Sequence, residues 1–397
     1  MNILVLNSGS SSQKAALYAI GEILPKEPPA CLWEAEIDWA RARVSSRAEA
    51  VADLISTAWT GPSRALNAPS DVDVVGHRVV HGGPQYEEPI AITPEVKSGI
   101  RRVSAFAPLH NHAELEGMEI IEKLLGSVPQ VAVFDTGFHR RMPPAATVYP
   151  GPYEWFERGI HRYGFHGINH QYCAARAAHL LQRDVESLKL VVCHLGNGCS
   201  LAAIRGGHSI DTTMGFTPLE GLMMGTRSGS IDPGILTYLM RARELRGEDI
   251  DDVLNRRSGL LGISGISGDM RQVLAARKEG HQRASLAFDI YVHRLQAGIG
   301  AMVAVLGGMD ALVFTAGIGE NSPEVRSAAC ANLECLGLRV DVAANAHMFA
   351  DADIATVDSP ARILVIQAQE DWAIAAECWR LIQAQRTREG RTSQRVH

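Results

Sequence analysis

Two arginines stand in settings too constrained for surface decoration. Arg78 lies in Gly76-His77-Arg78-Val79-Val80-His81-Gly82-Gly83, at the end of a β-rich run, and Arg227 in the glycine-bounded Gly225-Thr226-Arg227-Ser228-Gly229. Open α/β sheets bind ligands at the ends of their strands, and a guanidinium makes bidentate hydrogen bonds to phosphoryl or carboxylate oxygens. Three turns could cradle phosphate through backbone N–H groups: Asn7-Ser8-Gly9-Ser10-Ser11-Ser12, His194-Leu195-Gly196-Asn197-Gly198 and Gly317-Ile318-Gly319-Glu320-Asn321. Each alone is equally a plain turn. Ser322 stands where a dinucleotide fingerprint needs its third glycine, and the chain has neither a P-loop nor protein-kinase motifs.

The histidines call for a different reading. Tyr163-Gly164-Phe165-His166-Gly167-Ile168-Asn169-His170 sets two imidazoles four residues apart, a spacing that could hold a metal on a helix. Gly167 occupies the place of the HExxH glutamate and no third ligand is evident, so structural or substrate-positioning roles are expected instead. His110 and His112 also lack ligand partners in sequence. The 7 cysteines are odd in number and form no CxxC pair, which points to reduced thiols in a cytosol. Cys193 and Cys199 read as small buried hydrophobes.

The elements that must position these groups alternate between strand and helix, the pattern of an α/β protein. Ile3–Asn7 and Lys14–Ile20 predict a hairpin, and 73–80 and 130–134 further strands. Leu115, Met118, Ile121, Leu124 and Leu125 recur at helical spacing, with Asn111 as cap, Glu114 three residues on, and His110 in the loop before it. A Pro/Gly cluster from Met142 to Pro152 marks a domain boundary. Strand, Gly-rich turn and strand then recur at 188–205, echoing the opening of the chain. Asp232-Pro233 and Ser322-Pro323 open later helices, the second ending at Gly337. Leu295–Phe314 reads as a buried helix, a turn and a strand, interrupted by Gly307-Gly308 and Asp310, and not as a membrane span. Residues 386–397 are polar and basic and read as a disordered tail.

With 397 residues, 46% hydrophobic and 21% charged, the chain can form two or three globular domains. Its net charge of −6 lacks the basic face of a nucleic-acid binder. The N-terminus has no basic n-region and too short an apolar run for a signal peptide.

Long runs in a fixed order, among them NSGSSSQK, GHRVVHGG, VFDTGFHRRMP, RYGFHG, HLGNG, DTTMGFTPLEGLMMGTRSGSIDP, SGDMR and FTAGIGENSPEVR, resemble the acetokinase (acetate kinase) family along nearly the whole chain. The resemblance implies an α/β fold of two duplicated ribonuclease-H-like domains, as in actin, Hsp70 and sugar kinases, with an interdomain nucleotide cleft. Domain I would be 1–140 plus 371–397, and domain II, for nucleotide binding and dimerisation, 141–370. By matching motif, Asp135, His166 and Arg227 are implied as catalytic. Arg78 and His110 would contact the acid, while Val80, Leu109, Phe165 and Pro218 would enclose its methyl group. Lys14, the His194–Gly198 run, Asp269, Met270, Arg271 and the Gly317–Asn321 run would bind ATP. Asn7 and Glu370 would serve Mg²⁺, with Mn²⁺ as an alternative ion.

The implied activity is reversible transfer of the ATP γ-phosphoryl group to acetate in a cytoplasmic homodimer. Where the family has a TNEE-like run, Ala368-Gln369-Glu370-Asp371 keeps the key carboxylate among different neighbours. The PLHNP loop ends in His112 and the GTSH run reads GINH. Propionate or butyrate kinase activity, a non-catalytic nucleotide-binding regulator and a His-rich metal hydrolase are the rival readings. One methylene changes discrimination by only ~1–3 kcal/mol, and Val80 favours acetate.

Overall fold

Aliphatic runs build two sheets with the same plan. The computed structural model describes residues 1–8, 12–39, 46–104, 106, 108–242, 244–347 and 351–393, with the backbone alone at 108–110, 248 and 389–393. The chain divides into two units, Met1–Phe138 with Gln369–His397, and His139–Ala368.

In the first unit, β1 (Asn2–Ser8), β2 (Ser12–Ala19), β3 (Trp33–Asp38), β4 (Val74–Val79), β5 (Ile90–Ala91) and β6 (Gln130–Phe134) form a sheet of order β3-β2-β1-β4-β6-β5. The first three strands are antiparallel neighbours, β1, β4 and β6 are parallel, and β5 closes the edge antiparallel to β6. In the second unit, β7 (Lys189–Leu195), β8 (Cys199–Arg205), β9 (His208–Thr212), β10 (Ala311–Thr315), β11 (Ala352–Asp353) and β12 (Arg362–Val365) give the order β9-β8-β7-β10-β12-β11. Every strand pairing repeats with the same sense. The echo between the two hairpins is therefore a duplication of the whole sheet.

Strand composition follows position. Central β6 and β10 are buried at every residue, as expected where both faces of a parallel sheet are covered. Edge strand β3 alternates between buried or half-buried and exposed residues. The helix Pro108–Leu125 buries Leu115 and Met118 against Val79, Ala132 and Phe134, and Ile120 and Ile121 against Leu4, Leu6 and Val75. Each such side chain contributes about 1.5–3 kcal/mol by leaving water. The helix Gln282–Leu306 buries Ala284, Ala287, Phe288, Tyr291, Leu295, Ile299, Met302 and Leu306, a stripe at helical spacing. Gly307 caps it with φ 65°, and β10 follows.

Several expectations are corrected. The helix starting at Glu370 runs to Ser393, so the basic segment is helical that far, and 394–397 lie outside the described residues. This helix packs on β1 and β4. Gly76 permits the approach, since a Cβ there would stand 2.6 Å from Cys378 Sγ and 2.8 Å from Ile374 Cγ2. Glu370 consequently belongs to the first unit, not to domain II. His139 joins the second unit because its ring meets Ser209 Oγ at 2.7 Å and donates to the Phe165 carbonyl at 3.0 Å. The break thus precedes the Pro/Gly cluster.

Asn111 and Glu114 do not cap their helix, which already begins at Pro108 and takes in His110. Both side chains instead reach across to the segment after β4. The helix opened by Ser322 ends at Cys330, and Gly337 caps a separate short turn, Glu334–Leu336. Among the described residues, no helix is long and apolar enough to cross a membrane.

Candidate active site

In the first unit the parallel strands β1, β4 and β6 carry polar groups at their carboxyl ends. Arg78 Nη2 donates to Asp135 Oδ2 at 2.5 Å, and its Nη1 donates to Asn7 Oδ1 at 3.3 Å. The Asn7 amide nitrogen then donates to Glu370 Oε2 at 3.3 Å and Asp371 Oδ1 at 3.1 Å. One chain of hydrogen bonds therefore links Asp135, Arg78, Asn7 and the first two residues of the last helix. Burial opposes the Arg78 charge, but Asp135 and Glu370 outweigh it and hold the guanidinium above its usual value. Arg78 Nε is buried and has no hydrogen-bond partner, a donor left over for a ligand oxygen.

Burial also raises Asp371, with Glu370 adding repulsion while the Asn7 amide opposes the shift. Adjacent carboxylates sharing one amide donor carry surplus negative charge, and hard oxygen donors of this kind suit Mg²⁺ or Mn²⁺. Among the described residues, no group of three or more His, Cys, Asp or Glu is placed to hold a metal alone. Lys14 is exposed on β2, directly opposite Asn7. Residues 9–11 of the first turn lie outside the described residues, as do the side chains of Leu109 and His110.

Glu114 and Asn111, helix-cap residues by sequence pattern, face this strand end instead. Glu114 Oε1 accepts from the Val80 N–H at 3.1 Å and Asn111 Nδ2 donates to the His81 carbonyl at 3.1 Å, fixing the backbone beside buried Val80. Burial lifts the Glu114 carboxyl from its ordinary 4.5 to about 8, opposed by Arg78 and the Val80 N–H. Glu114 Oε2 and Asn111 Oδ1, three residues apart on one helix, are both buried without a hydrogen bond.

The second unit contains a cavity of about 740 Å³. Gly196, Asn197, Asp269, Met270, Arg271, Gly317, Ile318 and Asn321 line it, as do Gly268, Leu274, Ala275, Lys278, Ser322 and Glu324, for which the motifs imply no ligand contact. The third turn is a short helix, Ala316–Asn321, rather than a turn. His194, Leu195, Gly198, Gly319 and Glu320 do not line the cavity. Leu195 is fully buried, the Gly319 carbonyl accepts from Arg326, and Glu320 Oε1 accepts from the Ala368 N–H.

Beside the cavity, His166 and His194 stack with centroids 3.9 Å apart and planes 12° from parallel. His166 is the residue before the helix Gly167–Leu180, held at φ 57°, a conformation that costs energy outside glycine. Gly198 receives both transition-state candidates. A Cβ there would stand 3.3 Å from His166 Nε2 and 3.5 Å from Arg227 Nη1.

Arg227 Nη1 also donates to the Pro218 carbonyl at 3.1 Å. The preceding loop is braced by Arg162, whose Nη1 donates to the Thr212, Thr213 and Met214 carbonyls while Nη2 meets Glu220 Oε1 at 2.6 Å. Tyr149 donates to the other Glu220 oxygen. Phe165 is buried in this unit and Pro218 half-buried. Paired carboxylates can be found from sequence by their type, whereas the spacing of Asn111 and Glu114 signalled only a helix cap.

The sequence model of the acetokinase family matches residues 2–376. The chain is 56% identical over 400 residues to the acetate kinase of Gloeobacter violaceus, covering 96% of this chain and 99% of that one. Among crystal structures, the acetate kinase of Porphyromonas gingivalis superposes with a TM-score of 0.87 at 36% identity, covering 96% and 99% of the two chains. A propionate kinase from Francisella tularensis gives 0.85 at 35%, covering 95% and 98%. Duplicated sheets and similarity along almost the whole chain converge: the chain belongs to the acetokinase family.

Proposed function

We propose that this chain transfers the γ-phosphoryl group of ATP to acetate, reversibly, giving ADP and acetyl phosphate. The observation that carries the reading is the convergence of His166 Nε2 and Arg227 Nη1 on Gly198, beside a cavity lined by Gly196, Asn197 and Gly317. Phosphoryl transfer asks mainly for positioning and for charge on the equatorial oxygens. Acetate is ionised at neutral pH, so no general base is required.

Arg78 binds the acid through its spare buried donor, and Asp135 fixes the guanidinium rather than moving a proton. Arg227 and His166 donate to the transferring group, Lys14 contributes charge to the phosphates, and Gly196, Asn197, Gly317, Ile318 and Asn321 take up nucleotide in the cavity they line. Glu370, with Asp371 and Asn7, would hold Mg²⁺, or Mn²⁺ in its place, which neutralises phosphate charge when bound. Val80, Leu109, Phe165 and Pro218 are the residues for the acyl methyl group, and His110 a further acid contact.

A homodimer formed through the second unit is part of the proposal. The helix Pro233–Arg241 has no buried residue although it carries Ile235, Tyr238 and Met240. A cytoplasmic location fits seven free cysteines. Propionate is the competing acceptor, and the Francisella tularensis relative is named for it.

The test is Mg-dependent ADP formation with acetate, propionate, butyrate or no acid, trapping acyl phosphate with hydroxylamine. Acetate-dependent turnover is expected, and absence of turnover with every acid refutes the activity. Arg227→Ala should lower kcat about 10²–10³-fold while changing the KM for ATP little, and unchanged turnover removes Arg227 from that role.

A further inference from the structure

The pair of histidines four residues apart is not a metal motif; it is bridged by a hydroxyl. His166 Nδ1 and His170 Nε2 each lie 2.8 Å from Ser200 Oγ. Ser200 and His170 are fully buried, and His170 Nδ1 has no hydrogen-bond partner. A serine hydroxyl has one proton and two lone pairs. Among the described residues Ser200 Oγ meets no hydrogen-bond partner besides these two ring nitrogens, so its proton is satisfied only when one imidazole accepts it and the other donates to Oγ.

Burial holds His170 well below its ordinary value, with His139 and His194 adding to the shift, so the ring is neutral and carries one N–H. If that proton sat on Nδ1, it would be a buried N–H with no acceptor, the rarer and costlier defect in folded proteins. With the proton on Nε2, His170 donates to Ser200 Oγ. The hydroxyl then donates to His166 Nδ1, and the His166 proton is left on Nε2.

The neighbouring ring is arranged alike. Asn169 Nδ2 donates to His194 Nδ1 at 2.8 Å, which fixes the proton of neutral His194 on Nε2. The two stacked imidazoles therefore each receive a donor at Nδ1, and both present Nε2 to the Gly196–Gly198 turn. A Cβ at Gly196 would lie 3.7 Å from His194 Nε2, matching the 3.3 Å from a Cβ at Gly198 to His166 Nε2.

We propose that Ser200 and His170 are positioning residues that set the tautomer of His166, so that its Nε2 always offers a proton beside Arg227. The proposal rests on the reading of His166 as a donor to the transferring phosphoryl group. A ring with the other tautomer would aim a lone pair at phosphoryl oxygen and repel it. Outer hydrogen bonds of this kind typically account for about 10–100-fold in activity.

The experiment is ¹⁵N imidazole NMR of the full chain labelled at histidine, with His166 assigned by the set of signals missing in His166→Gln. The expected wild-type spectrum shows a protonated Nε2 and a pyridine-type Nδ1 for His166. Ser200→Ala and His170→Leu should average that signature and lower kcat about 10–100-fold with the KM for ATP nearly unchanged. His170→Gln keeps an N–H toward Ser200 and should restore both readouts.

A wild-type His166 carrying its proton on Nδ1 overturns the proposal. So does Ser200→Ala with unchanged spectrum and kcat. If either apolar variant fails to fold, the wild-type spectrum and His170→Gln decide. Full turnover in His166→Gln would instead refute the role of His166 itself, an outcome separate from which nitrogen holds the proton.

Discussion

Glu114 places an unusual charge balance in the first unit, and Glu114→Gln is the substitution that reads it. The carboxyl moves from its ordinary 4.5 to about 8 because burial disfavours the anion more than Arg78 and the Val80 N–H favour it. Below about pH 4.5 the group is protonated in both folded and unfolded chains and has no effect. As pH rises the unfolded chain releases this proton first, so stability falls, and the loss is complete above about pH 8. Each unit of difference is worth about 1.4 kcal/mol, so the loss is about 3 kcal/mol at pH 7 and on the order of 5 above pH 8. Local relaxation around an ionised carboxylate trims the upper figure.

Glutamine keeps the acceptor for Val80 N–H and cannot ionise. The variant should lie within about 1 kcal/mol of the wild type at pH 5 and exceed it by about 2–5 kcal/mol at pH 8. Urea unfolding at pH 5, 6, 7 and 8, followed by tryptophan fluorescence, suits the question, since Trp33, Trp39, Trp59, Trp372 and Trp379 all lie in the first unit. A ¹³C titration of the Glu114 side-chain carboxyl reads the ionisation directly. Parallel stability curves for the two proteins, with the carboxyl carbon titrating in the ordinary range, would refute the reasoning.

Three further substitutions probe other groups. Gly198→Ala should fold normally but lower kcat at least about 10-fold, because its Cβ would crowd His166 Nε2 and Arg227 Nη1; steady-state kinetics beside a thermal melt separates the two effects. Asp371→Asn removes one of two adjacent carboxylates and should raise the Mg²⁺ concentration for half-maximal velocity several-fold, with kcat at saturating Mg²⁺ less affected; a Mg²⁺ titration checks this. Arg326 is buried and donates to Asn345 Oδ1, the Asn345 carbonyl and the carbonyls of Gly319 and Glu320. Arg326→Met strands those acceptors and should cost about 3–5 kcal/mol, seen as a lower Tm together with a higher KM for ATP.

Strands and their order of appearance were readable because burial on both faces of a parallel sheet leaves continuous aliphatic runs such as Leu190–Cys193. Asp232 and Ser322 were readable as caps because each precedes a proline, and both accept from helix N–H groups in the structure. Local pattern failed where a distant partner decided the outcome. Asn111 and Glu114 have the right types for a capping box, yet the segment after β4 competes for both side chains. The polar end of the chain gave no apolar signal, while its helix is anchored upstream by Trp372, Ile374, Ala375 and Cys378.

At the site, motif resemblance supplied Arg78, Asp135, His166 and Arg227, and the structure links Arg78 to Asp135 and brings His166 and Arg227 to Gly198. Ser200 and Asn169 were invisible in sequence. A serine in a strand and an asparagine in a helix become informative only when their partners 30 and 25 residues away are known.

The duplicated sheets place different polar groups on one scaffold. Counterpart strands end in counterpart polar links: Asn7 on β1 accepts from Arg78 on β4, while Asn169 bridges His194 on β7 and Thr315 on β10 at 2.8 and 3.3 Å. In the first unit those links extend to Asp135, Glu370 and Asp371, setting three carboxyl groups around one arginine and one amide. In the second they extend to imidazoles, hydroxyls and glycine backbone. The two carboxylates lining the nucleotide-sized cavity are each paired, Asp269 with Arg271 at 2.6 Å and Glu324 with Lys278 at 3.3 Å. An anion entering that cavity meets donors and compensated charge, whereas bare carboxylates there would repel it at about 1–4 kcal/mol per contact. The shared scaffold thus repeats the strand ends, and the few polar residues placed there set the local charge of each unit.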